Sequence, residues 1–180
     1  EYTYRQCKER ELPLGLDLKG GMNVTMEVSL PDLLRSLSNN STDADFNKAI
    51  SKAIVDQRQS QEGFVTLFGK AFKEMSPNAR LASPGIFGYT LKDKGVKTQS
   101  TNDEVLAIIK SESELAIDQS FNVLRTRIDK FGVTQPNIQR LGNSGRILIE
   151  LPGVKEPERV RKLLQGTAQL EFWETYNNVD

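Results

Sequence analysis

Between Ala116 and Trp173 the spacing of apolar residues passes from helical to alternating and back again, and this order of periods leaves few folds open. Ile117, Phe121, Leu124, Ile128 and Phe131 recur at intervals of four and three, which places them on one helical stripe. Ser111 and Glu114 form a capping-box pattern, so this helix is expected to start near Glu112. Gly132 suits a left-handed C-cap, and Pro136 blocks further helix. Asn137 to Leu141 reads as a short strand, the cluster Gly142, Asn143, Ser144, Gly145 as a hairpin turn, and Ile147, Ile149 and Leu151 as the inward side of the second arm. Pro157 between two glutamates opens a second helix with Val160, Leu163 and Leu164 inward, ended by Gly166. Ala168, Leu170, Phe172 and Glu174 then alternate along a final strand.

An earlier strand is visible where Met22, Val24, Met26, Val28 and Leu30 alternate with polar residues. The expected class is therefore α+β: a ferredoxin-like βαββαβ antiparallel sheet with both helices on one face and a large, mainly helical insertion after the first strand. The expected division is a connector over 1–12, a base domain from 13–30 and 112–176, the insertion over 31–111, and the start of a downstream segment at 177–180. Within the insertion, Pro31 opens a helix ended by Asn39 and Asn40, and Thr42 or Asp43 caps a second. Gly63 precedes a third helix with Phe64, Phe68 and Phe72 on one stripe, ended by Pro77. A loop-rich stretch holds Pro84, Gly85, Gly88 and Gly95, and Thr101 with Glu104 forms another capping box. Such helices argue against a disordered linker.

Charge and composition exclude several function classes. Lys and Arg number 24, as do Asp and Glu, so no basic footprint for nucleic acid exists. The chain has no histidine, which removes the commonest general base and metal ligand and excludes Ser-His and Cys-His catalysis within it. Cys7 stands alone, so neither an internal disulfide nor a cysteine-cluster metal site forms, and it reads as a free surface thiol. No apolar run approaches the ~20 residues that cross a bilayer. Gly20-Gly21 has neither nucleotide-binding spacing and precedes a strand where those motifs precede a helix. Charges such as Arg127 and Arg140 suit solvated faces and ion pairs. No catalytic, cofactor or metal residue is assigned.

The run RTRIDKFGVTQPNIQRLGNSGRILIELPGV from Arg125 to Val154, with LLQGTAQLEFWE from Leu163 to Glu174, resembles the first large extracytoplasmic domain of SecD, a bacterial protein-export membrane protein. LGLDLKGGMNVTMEV from Leu14 to Val28 is similar to the segment after the first transmembrane helix in that family. The resemblance implies a non-enzymatic domain of SecD or a fused SecDF, a member of the RND superfamily by membrane organisation. It would sit on the periplasmic side of the inner membrane between membrane helices and assist translocation of polypeptide driven by proton motive force. Implied partners are SecF, the SecYEG translocon and the unfolded translocating chain. The family's proton-carrying residues belong to membrane helices and have no counterpart in this sequence.

Asp17, Gly20, Gly21, Gly132 and Pro136 fall in the resembling motifs and are expected to act structurally or as hinges. The stripe of Phe64, Phe68 and Phe72 is a candidate groove for polypeptide or a partner helix, although such stripes more often pack together as core. The insertion is expected to depart from the family, in which the first strand is followed sooner by its helix. Two other readings stay open: a free-standing ferredoxin-like ligand sensor or enzyme, and a periplasmic porter domain of a related multidrug exporter. The first predicts a convergent polar pocket, the second an apolar cleft between paired domains.

Overall fold

The computed structural model describes residues 3–4, 20–132, 135–142 and 144–166 of the chain. Most of the connector with Cys7, together with Asp17, the final strand expected over 168–175 and residues 177–180, lies outside the described residues. Strand β1, Gly21–Glu27, pairs antiparallel with β3, Arg146–Pro152, which pairs antiparallel with β2, Asn137–Leu141, giving the order β1-β3-β2. The period of two reads directly onto this sheet. Ile147, Ile149 and Leu151 of the central strand are fully buried, and Met26, Val24 and Met22 stand opposite them in register.

Five helices accompany the sheet among the described residues. Pro31 lies in the first turn of α1, Leu30–Leu37, and Asn39 and Asn40 at φ 53° and 55° lead the chain out of it. Asparagine tolerates that left-handed region better than most residues. Asp43 caps α2, Ala44–Gln57, by accepting the N–H of Phe46 at 2.8 Å. Helix α3, Phe64–Met75, follows Gly63. After turns and a short 3-10 segment at Lys92–Lys94 comes α4, Asn102–Phe131, and α5 spans Pro157–Gln165.

Two apolar clusters form among the described residues. One joins the sheet to Leu124 and Ile128 of α4 and to Val160 and Leu164 of α5. The other is built by α1, α2, α3, the loops after α3, and Val105, Ile109 and Ile117 of α4. Each large side chain fully buried in either contributes about 1.5–3 kcal/mol of transfer free energy.

Helix α4 corrects the expected start at Glu112. The Thr101–Glu104 capping box forms with both its bonds, but Ser111 and Glu114 lie in mid-helix, and the chain continues through them as one helix of 30 residues. Ser113 sits buried on the same stripe, its hydroxyl donating to the Ile109 carbonyl at 2.8 Å, so the stripe runs from Val105 to Ile128 without a break. The expected boundary between 111 and 112 thus falls inside a helix that both clusters share. Two smaller corrections follow from exposure and register. Strand β1 ends at Glu27 and Leu30 starts α1, and Leu163 is exposed while Val160 and Leu164 face the core.

Candidate functional site

Register gathers one end of the sheet from three parts of the chain. Asn23 and Asn137 both stand opposite Glu150, and the Asn137 amide donates to the Glu150 carboxylate at 2.8 Å. Gly21 faces Pro152, and the N–H of Gly153 donates to the Gly20 carbonyl at 2.9 Å. The glycine pair before β1 and the Pro-Gly after β3, remote in sequence, are therefore one structural feature. Gly20 and Gly153 have φ of 66° and 73°, and a Cβ at either would meet nothing within 4 Å. Backbone conformation, not lack of space, calls for glycine there.

Gly132 at φ 76° closes α4, its N–H bonded to the Asp129 carbonyl. Gln135 at φ 56° and Pro136 then lead into β2 at the same end of the sheet. Gly20, Gly21 and Pro136 thus lie at one end of the sheet, at the starts of the two strands that flank β3, with Gly132 where α4 ends ahead of that turn. All four shape backbone, and none offers a polar side chain for chemistry.

The opposite end of the sheet meets the insertion. The N–H of Val28 donates to the Gly145 carbonyl at 3.0 Å, and Gly145 lies beside Ile117 and Leu30. Phe64, Phe68 and Phe72 are 1 %, 0 % and 1 % exposed. Phe46 meets Phe68 and Phe87 edge-to-face, with ring centroids 5.6 and 5.5 Å apart. Of the two readings of the phenylalanine stripe, groove or core, this burial agrees with packing as core: the rings form the centre of the insertion's core.

Several structural residues carry no signal in the sequence. Leu81, Ile86, Phe87, Leu91 and Val96 are buried although they lie in the loop-rich stretch. The Asn102 side chain holds that stretch, accepting from the Leu81 N–H at 2.8 Å and donating to the Ala79 carbonyl at 3.0 Å. Arg127 reaches from α4 to the Leu163 and Leu164 carbonyls at the end of α5, and Arg140 of β2 pairs with Asp118 of α4. Alternation and helical period are blind to such long-range bonds.

Electrostatics at the surface are mild. The Ser29 hydroxyl and then Arg35 hold the Asp32 carboxyl below its usual range, and a bond to Glu74 raises Lys52. Among the described residues, no group of three or more acidic or cysteine side chains is placed to hold a metal ion. No described helix is long and apolar enough to cross a membrane. An apolar groove bordered by Met26, Leu33, Val123, Leu124, Ile147 and Leu164 runs between α1, the end of β1, α4 and the end of α5, and reaches Gly166.

Comparison with known proteins gives consistent matches. Residues 117–177 match the family described as protein translocase subunit SecDF, P1 domain, N-terminal. The chain is 41% identical over 170 residues to the protein translocase subunit SecD of Rhodothermus marinus, covering 94% of the chain and 26% of that relative. It is 30% identical over 175 residues to SecD of Escherichia coli K12, and 32% identical over 174 residues to SecD of Calditerrivibrio nitroreducens. The chain spans about a quarter to a third of the length of these relatives. No solved structure matches it. An alignment of 170 positions that covers 94% of the chain cannot omit residues 31–111. The expectation that the insertion departs from the family is therefore corrected: relatives carry it too.

Proposed function

Because the chain belongs to the SecD family of protein translocase subunits, we propose that it is part of an extracytoplasmic domain that assists movement of polypeptide across the inner membrane. In this reading the domain faces the periplasm and acts with SecF and the SecYEG translocon. It contacts the emerging chain while membrane-embedded parts of the protein couple transport to proton motive force. Its role is mechanical and non-enzymatic. The observation that carries the reading is the 41% identity over 94% of the chain, which takes in sheet and insertion alike.

The fold proposed for the base is ferredoxin-like. The order β1-β3-β2, with α4 ahead of β2 and α5 after β3, supports it. Asp17, Gly20, Gly21, Gly132 and Pro136 are proposed to set the junction between the membrane-side connector and this sheet.

The test is fractionation of the full-length protein with an epitope at Gly95, an exposed glycine at φ 98°. The reading expects an inner-membrane protein whose epitope is cut only from the periplasmic side. A soluble cytoplasmic product would overturn it in favour of a ligand sensor or an enzyme.

A further inference from the structure

We infer that the insertion is hinged on the sheet, swinging as a unit where the chain crosses between the two cores beside Gly145. The inference concerns motion within the domain and goes beyond the translocase reading. The insertion is one continuous stretch, so the chain passes between it and the sheet at two places, the step from β1 to α1 and the middle of α4. Both crossings run past the same point. A Cβ on Gly145, in the β2–β3 turn, would lie 3.6 Å from the Val28 carbonyl oxygen and 3.8 Å from Leu30 and from Ile117. Crossings that lie side by side define an axis, whereas crossings set far apart would brace two bodies against each other.

The first crossing is short. Ser29 holds it at φ −70° and ψ 90°, and the Ser29 hydroxyl bonds to the Asp32 carboxylate instead of capping the backbone of α1. The second crossing is a single turn of helix. Ile117 packs in the insertion core and Leu124 in the sheet core, with Phe121 packed against the latter, while Asp118 and Gln119 in between are exposed. The Ser120 hydroxyl donates to the Ala116 carbonyl at 2.8 Å, a back-bond that bends helices without breaking them. Asp118 pairs with Arg140 of β2, which ties this turn to the sheet.

Rotation needs room, since a close-packed seam would resist it. Clefts border the crossing turn on two sides. A cavity of about 130 Å³ lies among Ser113, Glu114, Arg140, Gly142 and the start of α3, and the apolar groove past Ala116, Gln119, Ser120 and Val123 holds about 680 Å³. Together they leave α4 space to bend while each core stays closed.

Distances between paired spin labels on the full-length protein test this, with the labels carried on cysteines introduced into a cysteine-free background. One pair spans the seam, Val55→Cys on α2 with Leu163→Cys on α5. Two control pairs stay within a unit, Val55→Cys with Tyr89→Cys in the insertion and Leu141→Cys with Leu163→Cys in the sheet unit; all four positions are exposed. The hinge predicts a distance distribution across the seam roughly twofold broader than either control, or split in two. Asp118→Asn, which removes the tie to Arg140, should broaden it further and leave both controls unchanged. A seam distribution as narrow as the controls overturns the inference, as does a broad one that Asp118→Asn leaves unchanged. The comparison with the controls stands even if Asp118→Asn does not fold. Neither outcome touches the translocase reading, which rests on the family match.

Discussion

The sheet and the helical insertion reach a closed core by different routes. In the sheet, three strands with a strict period of two place Ile147, Ile149 and Leu151 against α4 and α5, and neighbours in sequence alternate faces. In the insertion, Phe46, Phe68 and Phe87 come from two helices and a loop, and the loop residues follow no period. The comparison teaches that one core is specified locally while the other depends on how turns fold back. Helix α4 belongs to both.

The sharpest way to break this comparison is to remove the centre of one core and observe the other. Phe46→Ala should cost about 3–5 kcal/mol in chemical denaturation. If the cores are separable, hydrogen exchange at Ile147–Leu151 should rise far less than exchange in α2 and α3. Ile149→Ala is the converse, expected to cost about 2–5 kcal/mol and to loosen the sheet ahead of the insertion. Equal loosening of both regions by either substitution would mean a single cooperative core.

Next in size comes Gly88→Ala. A Cβ there would stand 2.4 Å from the Ala82 carbonyl oxygen and 2.9 Å from the backbone of Ser83, and backbone cannot turn aside as a side chain would. The loop must shift, at about 1–3 kcal/mol, which thermal unfolding would show. Asn102→Ala should cost a similar or smaller amount, about 1–3 kcal/mol, by leaving the Leu81 N–H and the Ala79 carbonyl without their partner.

These substitutions mark the limit of what the sequence made legible. The Asp43 cap and the Thr101 capping box follow from short-range pattern, because each bond closes within a few residues, while the three described strands follow from alternation and the turn glycines from backbone conformation. Ser111 and Glu114 misled because the same pattern is harmless inside a helix. What separates the two cases is the preceding sequence: Thr101 follows a turn, whereas Ser111 follows Val105 and Ile109 already on the stripe. The burial of Phe87 and Leu91 was illegible for another reason, since they belong to a cluster gathered from elements distant in sequence, with Phe87 packing on Phe46 of α2. Of the candidate site residues, the glycines could be read from backbone chemistry. The phenylalanine stripe could not be assigned to surface or core, because helical period fixes a face and not what covers it.

The smallest effect sharpens the account at the junction where β1 leads into α1. The Ser29 hydroxyl and Arg35 lower the pKa of Asp32 from its ordinary 3.8 on folding. A carboxyl lowered on folding adds stability above its unfolded pKa and loses it as pH falls through the folded one. Acid unfolding should therefore show a slight contribution that disappears below about pH 4, and Asp32→Asn should remove this pH dependence while leaving the sheet core unaffected. As an exposed group its effect should be visible only in a careful acid titration.

The central claim is that one uninterrupted helix carries both cores, and residue-resolved hydrogen exchange along α4 tests it most directly. The account predicts continuous protection from Ile109 through Ile128, with the amides around Ser111–Glu114 as slow as their neighbours. A fast-exchanging break at those four residues would contradict it, returning the chain to two helices with a boundary between them.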